Sequence, residues 1–125
     1  MGEIKIHLDV PRDLSVFEVL GTVTCDDFLA AIKNQYSKHP TANSLWEFIN
    51  VDMSGISTKD FMKIADAAKA YSQKRGRAKT IIVADKAMEE IIMKLYSAIA
   101  EAIGSPITYK VVATKDEAYQ WFDRD

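Results

Sequence analysis

Polar and apolar residues alternate imperfectly at the start of the chain, with Ile4, Ile6, Leu8 and Val10 set against Lys5, His7 and Asp9. A period of two marks a half-buried strand, and the mixed character suits a sheet edge. Pro11, Arg12 and Asp13 form a turn, and 14–23 (LSVFEVLGTV) reads as a second strand, so the short link predicts a hairpin. Gly21 is expected to mark a bulge or a close helix approach near the end of that strand. The period then changes to that of a helix. Phe28, Leu29, Ile32 and Tyr36 fall on one face, Thr24 with Asp27 resembles a capping box, and Pro40 lies beyond the end.

The next stretch, Leu45 to Tyr71, is the expected centre of the fold. It reads as a buried strand at 45–49, a small-residue turn from Asn50 to Thr58, and an amphipathic helix. Phe61, Ile64, Ala65, Ala68 and Tyr71 share one helical face, with Asp60 in the first turn. Lys74 and Arg75 oppose the macrodipole at its end, and Gly76 suits the residue just past it. The β-branched run TIIVA at 80–84 predicts a strand buried in a parallel sheet. Asp85 is placed to cap a third helix over 87–103, closed by Gly104, with a broad apolar stripe of Met88, Ile91, Ile92, Leu95, Tyr96, Ile99 and Ile103. A strand at 108–113 follows, then a last short helix that Thr114 and Glu117 should cap reciprocally.

This order, β-β-α-β-α-β-α-β-α, predicts an α/β fold. Strict alternation after the hairpin implies a mostly parallel five-stranded sheet flanked by helices, with the whole of 1–125 as a single domain. Size and composition agree. A chain of 125 residues with 48% hydrophobic and 27% charged residues has an ordinary globular balance. A net charge of −2 supplies no global field for nucleic acid or anionic lipid, so neither partner is expected. The opening MGEIKIHLDV lacks the apolar core of a signal peptide, and no run is long enough to span a bilayer. The one cysteine, Cys25, excludes an intramolecular disulfide and fits a reducing compartment, so a cytoplasmic location is expected.

Candidate chemistry is sparse. Cys25 lies in the first turn of a helix, where the dipole favours thiolate, but His7 and His39 fall on an edge strand and in a loop with no third orienting group. Two lone histidines and scattered carboxylates have no metal-ligand spacing, so no metal or cofactor is expected. The Asn50–Thr58 turn has one glycine, Gly55, and lacks the Lys-Ser or Lys-Thr of a nucleotide loop. Its amides still open an anion-favouring helix N-terminus, which Ser54, Ser57 and Thr58 are placed to cap. Lys69, Lys74, Arg75, Arg77 and Lys79 form a basic run read as a solvated helix end, because only Tyr71 is available as an aromatic platform. Met88, Ile92, Met93 and Tyr96 on the third helix are adaptable residues for the core first, or else an apolar ligand or dimer face, and a homodimer is the expected oligomeric state.

Four features then resemble one family. The opening hairpin, Leu45-Trp46-Glu47-Phe48 on the third strand, Asp52-Met53-Ser54-Gly55 before the second helix, and the closing Glu117-Ala118 with Trp121-Phe122 are similar to SpoIIAA-like proteins. These are small bacterial domains related in fold to the STAS domain of anti-sigma factor antagonists. The resemblance implies a non-enzymatic regulatory or interaction module of the bacterial cytoplasm, with the candidate binding or switch turn at Asp52, Met53, Ser54, Gly55, Ser57 and Thr58. STAS antagonists switch by phosphorylation of a serine in an Asp-Ser-Ser-Gly turn. Met53 stands at the position of that acceptor, and Ser54 at the second serine. A more distant likeness in fold to Sec14-like lipid carriers implies the alternative, a carrier or sensor of a small apolar ligand near the third helix.

Overall fold

The computed structural model describes residues 2–85, 88 and 107–124. Its first two strands form the expected hairpin. β1 (Glu3–Asp9) pairs antiparallel with β2 (Leu14–Thr22), from Glu3 opposite Leu20 to Asp9 opposite Leu14. Asp13 closes the turn in the left-handed region at φ 50°, its amide donating to the Val10 carbonyl at 3.0 Å. Asp is among the few side chains that tolerate this conformation.

From β2 onward every pairing is parallel. β3 (Asn43–Asp52), β4 (Lys79–Val83) and β5 (Thr108–Val112) follow in spatial order, so the sheet reads β1-β2-β3-β4-β5 with the antiparallel strand at one edge. The expected α/β architecture is therefore the observed one. β3 runs well beyond the expected 45–49, because its pairing with β2 continues past a bulge. Leu20 faces Ile49 and Gly21 faces Val51, leaving Asn50 as the extra residue. Both residues at the bulge have positive φ, 72° at Gly21 and 48° at Asn50. Glycine enters that region without a Cβ clash, and Asn enters it more readily than most residues.

α1 (Cys25–Lys38) starts from a complete capping box. The Asp27 amide donates to Thr24 Oγ1 at 3.3 Å, and the Thr24 amide donates to the Asp27 carboxylate at 2.9 Å. α2 (Thr58–Ala70) has a complete box as well, built from Ser57 and Asp60. Sequence periodicity predicts one helix through Arg75, but the chain turns at Tyr71 and resumes as a single short turn, α3 (Ser72–Arg75). The Ser72 hydroxyl donates to the Lys69 carbonyl at 2.7 Å, occupying an acceptor at the helix end. α4 (Lys115–Phe122) forms only half of its expected box, Thr114 Oγ1 accepting from the Glu117 amide at 3.3 Å. Asp85 does act as a cap, its carboxylate accepting from the Met88 amide at 3.1 Å. The expected helix over 87–103 otherwise lies outside the described residues, and with it Ile92, Met93 and Tyr96.

α1 and α2 cover one face of the sheet and α4 the other. On the first face Phe17 stacks on Trp46 at 4.0 Å between ring centres, and Phe28, Ile32, Tyr36, Phe48, Phe61, Ile64 and Met88 complete the cluster. Met88 is thus a core residue rather than a surface contact. On the second face Leu14, Val16, Leu45, Ile81, Val83 and Val112 pack under Ala118, with Tyr119, Trp121 and Phe122 at the margin. Stacked, tilted and edge-on aromatic pairs among Phe17, Phe28, Tyr36, Trp46 and Phe48 add to the stabilisation of this face from burial alone.

Candidate functional site

The turn from β3 to α2 is pinned at both ends and exposed in the middle. Asp52 ends the strand, and its Oδ1 accepts from the Ser54 amide at 2.9 Å. That bond holds the Asp52 carboxyl below its ordinary range, because it favours the charged form. Met53 and Ile56 turn inward, 3% and 8% exposed, and the Ile56 amide donates back to the Met53 carbonyl at 3.0 Å. Between these two anchors Ser54 and Gly55 form a bare tip, and a Cβ added at Gly55 would meet nothing within 4 Å.

Beyond the tip, Ser57 caps α2 while Thr58 stays exposed. Asp60 also titrates below its ordinary range, chiefly through the bond from the Ser57 amide at 3.0 Å. The structure therefore brings Asp52, Ser54, Gly55, Ser57 and Thr58 to one surface. Met53 is the exception. It belongs to the core, which corrects the expectation that it forms part of the contact turn.

Beside the turn lies a feature that sequence reasoning missed. A crevice of about 400 Å³ opens over the C-terminal ends of β3, β4 and β5, lined by Glu47, Asn50, Asp85, Lys115 and Asp116 among others. It opens because the chain leaves β3 toward α2 on one face and leaves β5 toward α4 on the other. Lys115 Nζ spans it to Glu47 Oε1 at 3.5 Å. These residues come from three separate strand ends, so no local spacing announces them. The left-handed tolerance of Asn50 is the only local hint.

The remaining candidates stay apart. Cys25 Sγ lies 3.8 Å from the Asp60 carbonyl, and burial pushes its thiol up, away from the thiolate. His39 caps the opposite end of α1, about 20 Å away at the usual helical rise. His7 pairs with Glu18 on the hairpin at 3.5 Å. Among the described residues no cluster of His, Cys, Asp or Glu is arranged to hold a metal ion. No described helix is long and apolar enough to cross a membrane.

A second cavity sits within the α1–α2 face, between Phe28, Ile32, Trp46, Phe48 and Ile82, with Arg75 and Tyr109 at its polar end. Its volume is about 50 Å³. A drug-sized ligand fills several hundred Å³, so this space is too small to hold one.

Arg75 itself departs from expectation. The basic run predicts a solvated side chain, yet Arg75 is 4% exposed. Its Nε donates to the Thr41 carbonyl at 2.9 Å, and Nη2 donates to the carbonyls of Ala42 at 3.1 Å and Lys79 at 3.0 Å. Nη1 donates to Thr80 Oγ1 at 3.3 Å, and the guanidinium lies 4.8 Å from the Tyr36 ring centre. The planar fork of Arg reaches several carbonyls at once, as an ammonium cannot.

No protein-family model and no curated protein matches this sequence. Among solved structures, the chain is similar to one in the complex of diguanylate cyclase SiaD with its activator SiaC from Pseudomonas aeruginosa. The TM-score is 0.51 at 14% identity, covering 87% of this chain and 92% of that one. At that identity the likeness is one of fold, and it agrees with the mostly parallel five-stranded sheet flanked by helices described above.

Proposed function

We propose that this chain is a regulatory interaction module of the SpoIIAA-like, STAS-like kind in a bacterial cytoplasm, acting by binding a protein partner rather than by catalysis. What carries this reading is the anchored turn, in which Met53 and Ile56 buried in the core hold Ser54, Gly55, Ser57 and Thr58 outward at the start of α2. A rigid scaffold under an exposed loop is the usual arrangement of a recognition surface. The fold likeness supports it, since SiaC in the similar complex is the activator of an enzyme. By analogy the partner here is a signalling enzyme or a kinase.

Separation of Cys25 from both histidines, and the absence of a metal-capable cluster among the described residues, supply no support for a catalytic reading. Ser54 is the acceptor proposed for a phosphate switch, because its side chain is exposed and Met53 cannot take phosphate. A phosphate there would sit beside the Asp52 carboxylate, and like-charge repulsion would open the bond that closes the turn.

The test uses Gly55→Trp, which places a large ring at the tip where the surrounding space is empty. Purified wild-type protein is mixed with sigma-regulatory kinases and diguanylate cyclases from the source organism, and complex formation and phosphate transfer are measured. A complex with one of them is expected, and G55W should abolish it while leaving the thermal midpoint unchanged. Failure of every such enzyme to bind or to transfer phosphate counts against the reading.

A further inference from the structure

The charges of this chain are sorted by the direction of its strands. Residues 28–46, 67–84 and 107–115 contain no Asp or Glu. Each of these stretches lies at, or runs toward or away from, the end of the sheet where the parallel strands begin. Asp26, Asp27, Asp52, Asp60, Asp85, Asp116 and Glu117 gather instead at the end where the strands finish and α1, α2 and α4 start. The local cause is helix electrostatics, acids at N-termini and bases at C-termini. A parallel sheet aligns its crossovers, so local preferences add up to two opposite poles. The net charge of −2 conceals this separation.

We propose that the pole where the strands begin is a second docking surface, which takes an acidic polypeptide segment. Lys38, Lys74, Arg77 and Lys110 are exposed there, and none forms an ion pair with a described residue. Their loops are tied together. Arg75 binds the carbonyls of Thr41 and Ala42, the Lys79 amide donates to Ala42 at 2.8 Å, and the Thr108 amide donates to Ala78 at 2.9 Å. Beneath this surface Arg75 adds a buried positive charge whose hydrogen-bond acceptors are all neutral. A buried cation without a carboxylate is costly, and an anion brought to the surface above it relieves part of that cost. Among the described residues, the acids nearby, Asp9, Asp13 and Asp123, lie toward the hairpin and are engaged. Arg12 sits between Asp9 and Asp123 at 3.0 Å from each, and Asp13 accepts from the Ala42 amide.

Nucleic acid fits this pole less well than an acidic peptide. The aromatic rings here already carry cations, Tyr71 under Lys74 and Trp121 under Lys79 and Lys110, so they are poor platforms for bases. A long polyanion would also meet the acidic remainder of the molecule, whereas a short segment within one Debye length senses only the basic pole.

A fluorescein-labelled oligoglutamate peptide is titrated into the full chain at low salt, with amide chemical shifts recorded in parallel. Saturable binding is expected that weakens about tenfold or more when the ionic strength rises from about 50 to about 300 mM. Shifts should cluster at 38–42, 74–79 and 108–110. The double variant Lys74→Glu/Arg77→Glu should lose at least about tenfold in affinity while still folding cooperatively with the native circular dichroism spectrum, because both side chains are exposed. Absence of saturable binding, wild-type affinity in the double variant, or tighter binding of an oligothymidylate of equal charge would each overturn the proposal. The two surfaces separate cleanly: G55W should keep peptide affinity, and the charge-reversed variant should keep the partner of the α2 turn.

Discussion

Arg75 shows how much a single side chain can be misread from its neighbours. It stands in a basic run, but it is the fully buried member, because three carbonyls and a hydroxyl from the 41–42 loop and the start of β4 converge where α3 ends. Arg75→Leu leaves those acceptors unpaired, and urea unfolding should report a loss of about 3 kcal/mol or more. Arg75→Lys should recover only part of it. Two tyrosines give an optical check on the same face. Burial raises the Tyr36 phenol and pushes that of Tyr109 to about 12. A folded pKa above the unfolded one gives stability that is complete below about pH 10 and is lost as pH rises through the folded value. Absorbance titration of the native chain should therefore show Tyr109 ionising only near pH 12, and Tyr36 later than an exposed tyrosine. Ionisation of every tyrosine near pH 10 with native circular dichroism would contradict the packing described.

At the scale of elements, the caps and the bulge do most to place the candidate turn. Ser57→Ala removes one half of the α2 capping box and should cost about 1 kcal/mol in denaturant unfolding. The acid side has a definite sign. Asp52 and Asp60 are held below their ordinary range, so their contribution is complete above the unfolded value near pH 4 and is lost as pH falls through the lowered folded values. Hydrogen exchange at the Ser54 and Ser57 amides should quicken in that acid window, relative to the amides of β2 and β3, once the known pH dependence of exchange is removed. Gly76 sits at φ 79° and ψ −127°, a region essentially reserved for glycine, so Gly76→Ala should destabilise by about 2 kcal/mol although its surroundings are open. These elements were readable beforehand. Thr24 with Asp27, Ser57 with Asp60 and the flexible Gly21 each announce themselves within a few residues. The break at Tyr71 did not, since it depends on where Arg75 must reach.

On the scale of the whole molecule, a sheet in sequential order with helices on both faces separates the chain into two ends of different character. The strand ends carry the α2 turn and the crevice, and the strand beginnings carry the basic loops. Salt should act differently on the two proposed surfaces. Peptide binding at the basic pole is screened strongly, while a contact at the small, largely uncharged Ser54–Gly55 tip is screened weakly. Measuring both affinities across one salt series distinguishes them.

Periodicity and caps by themselves determined the α/β class, the hairpin, the parallel run from β2 to β5, and the turn between β3 and α2 as the candidate site at a helix start. They succeed because strand, helix and cap preferences are written in residues only a few positions apart. Tertiary structure alone decided that Met53 is core, that Arg75 is buried, that Glu47, Asp85, Lys115 and Asp116 share one crevice, and that the charges divide between two poles. Each of these depends on which distant segments meet when parallel strands align. No local pattern encodes such a meeting, because it is set by the packing of the sheet as a whole.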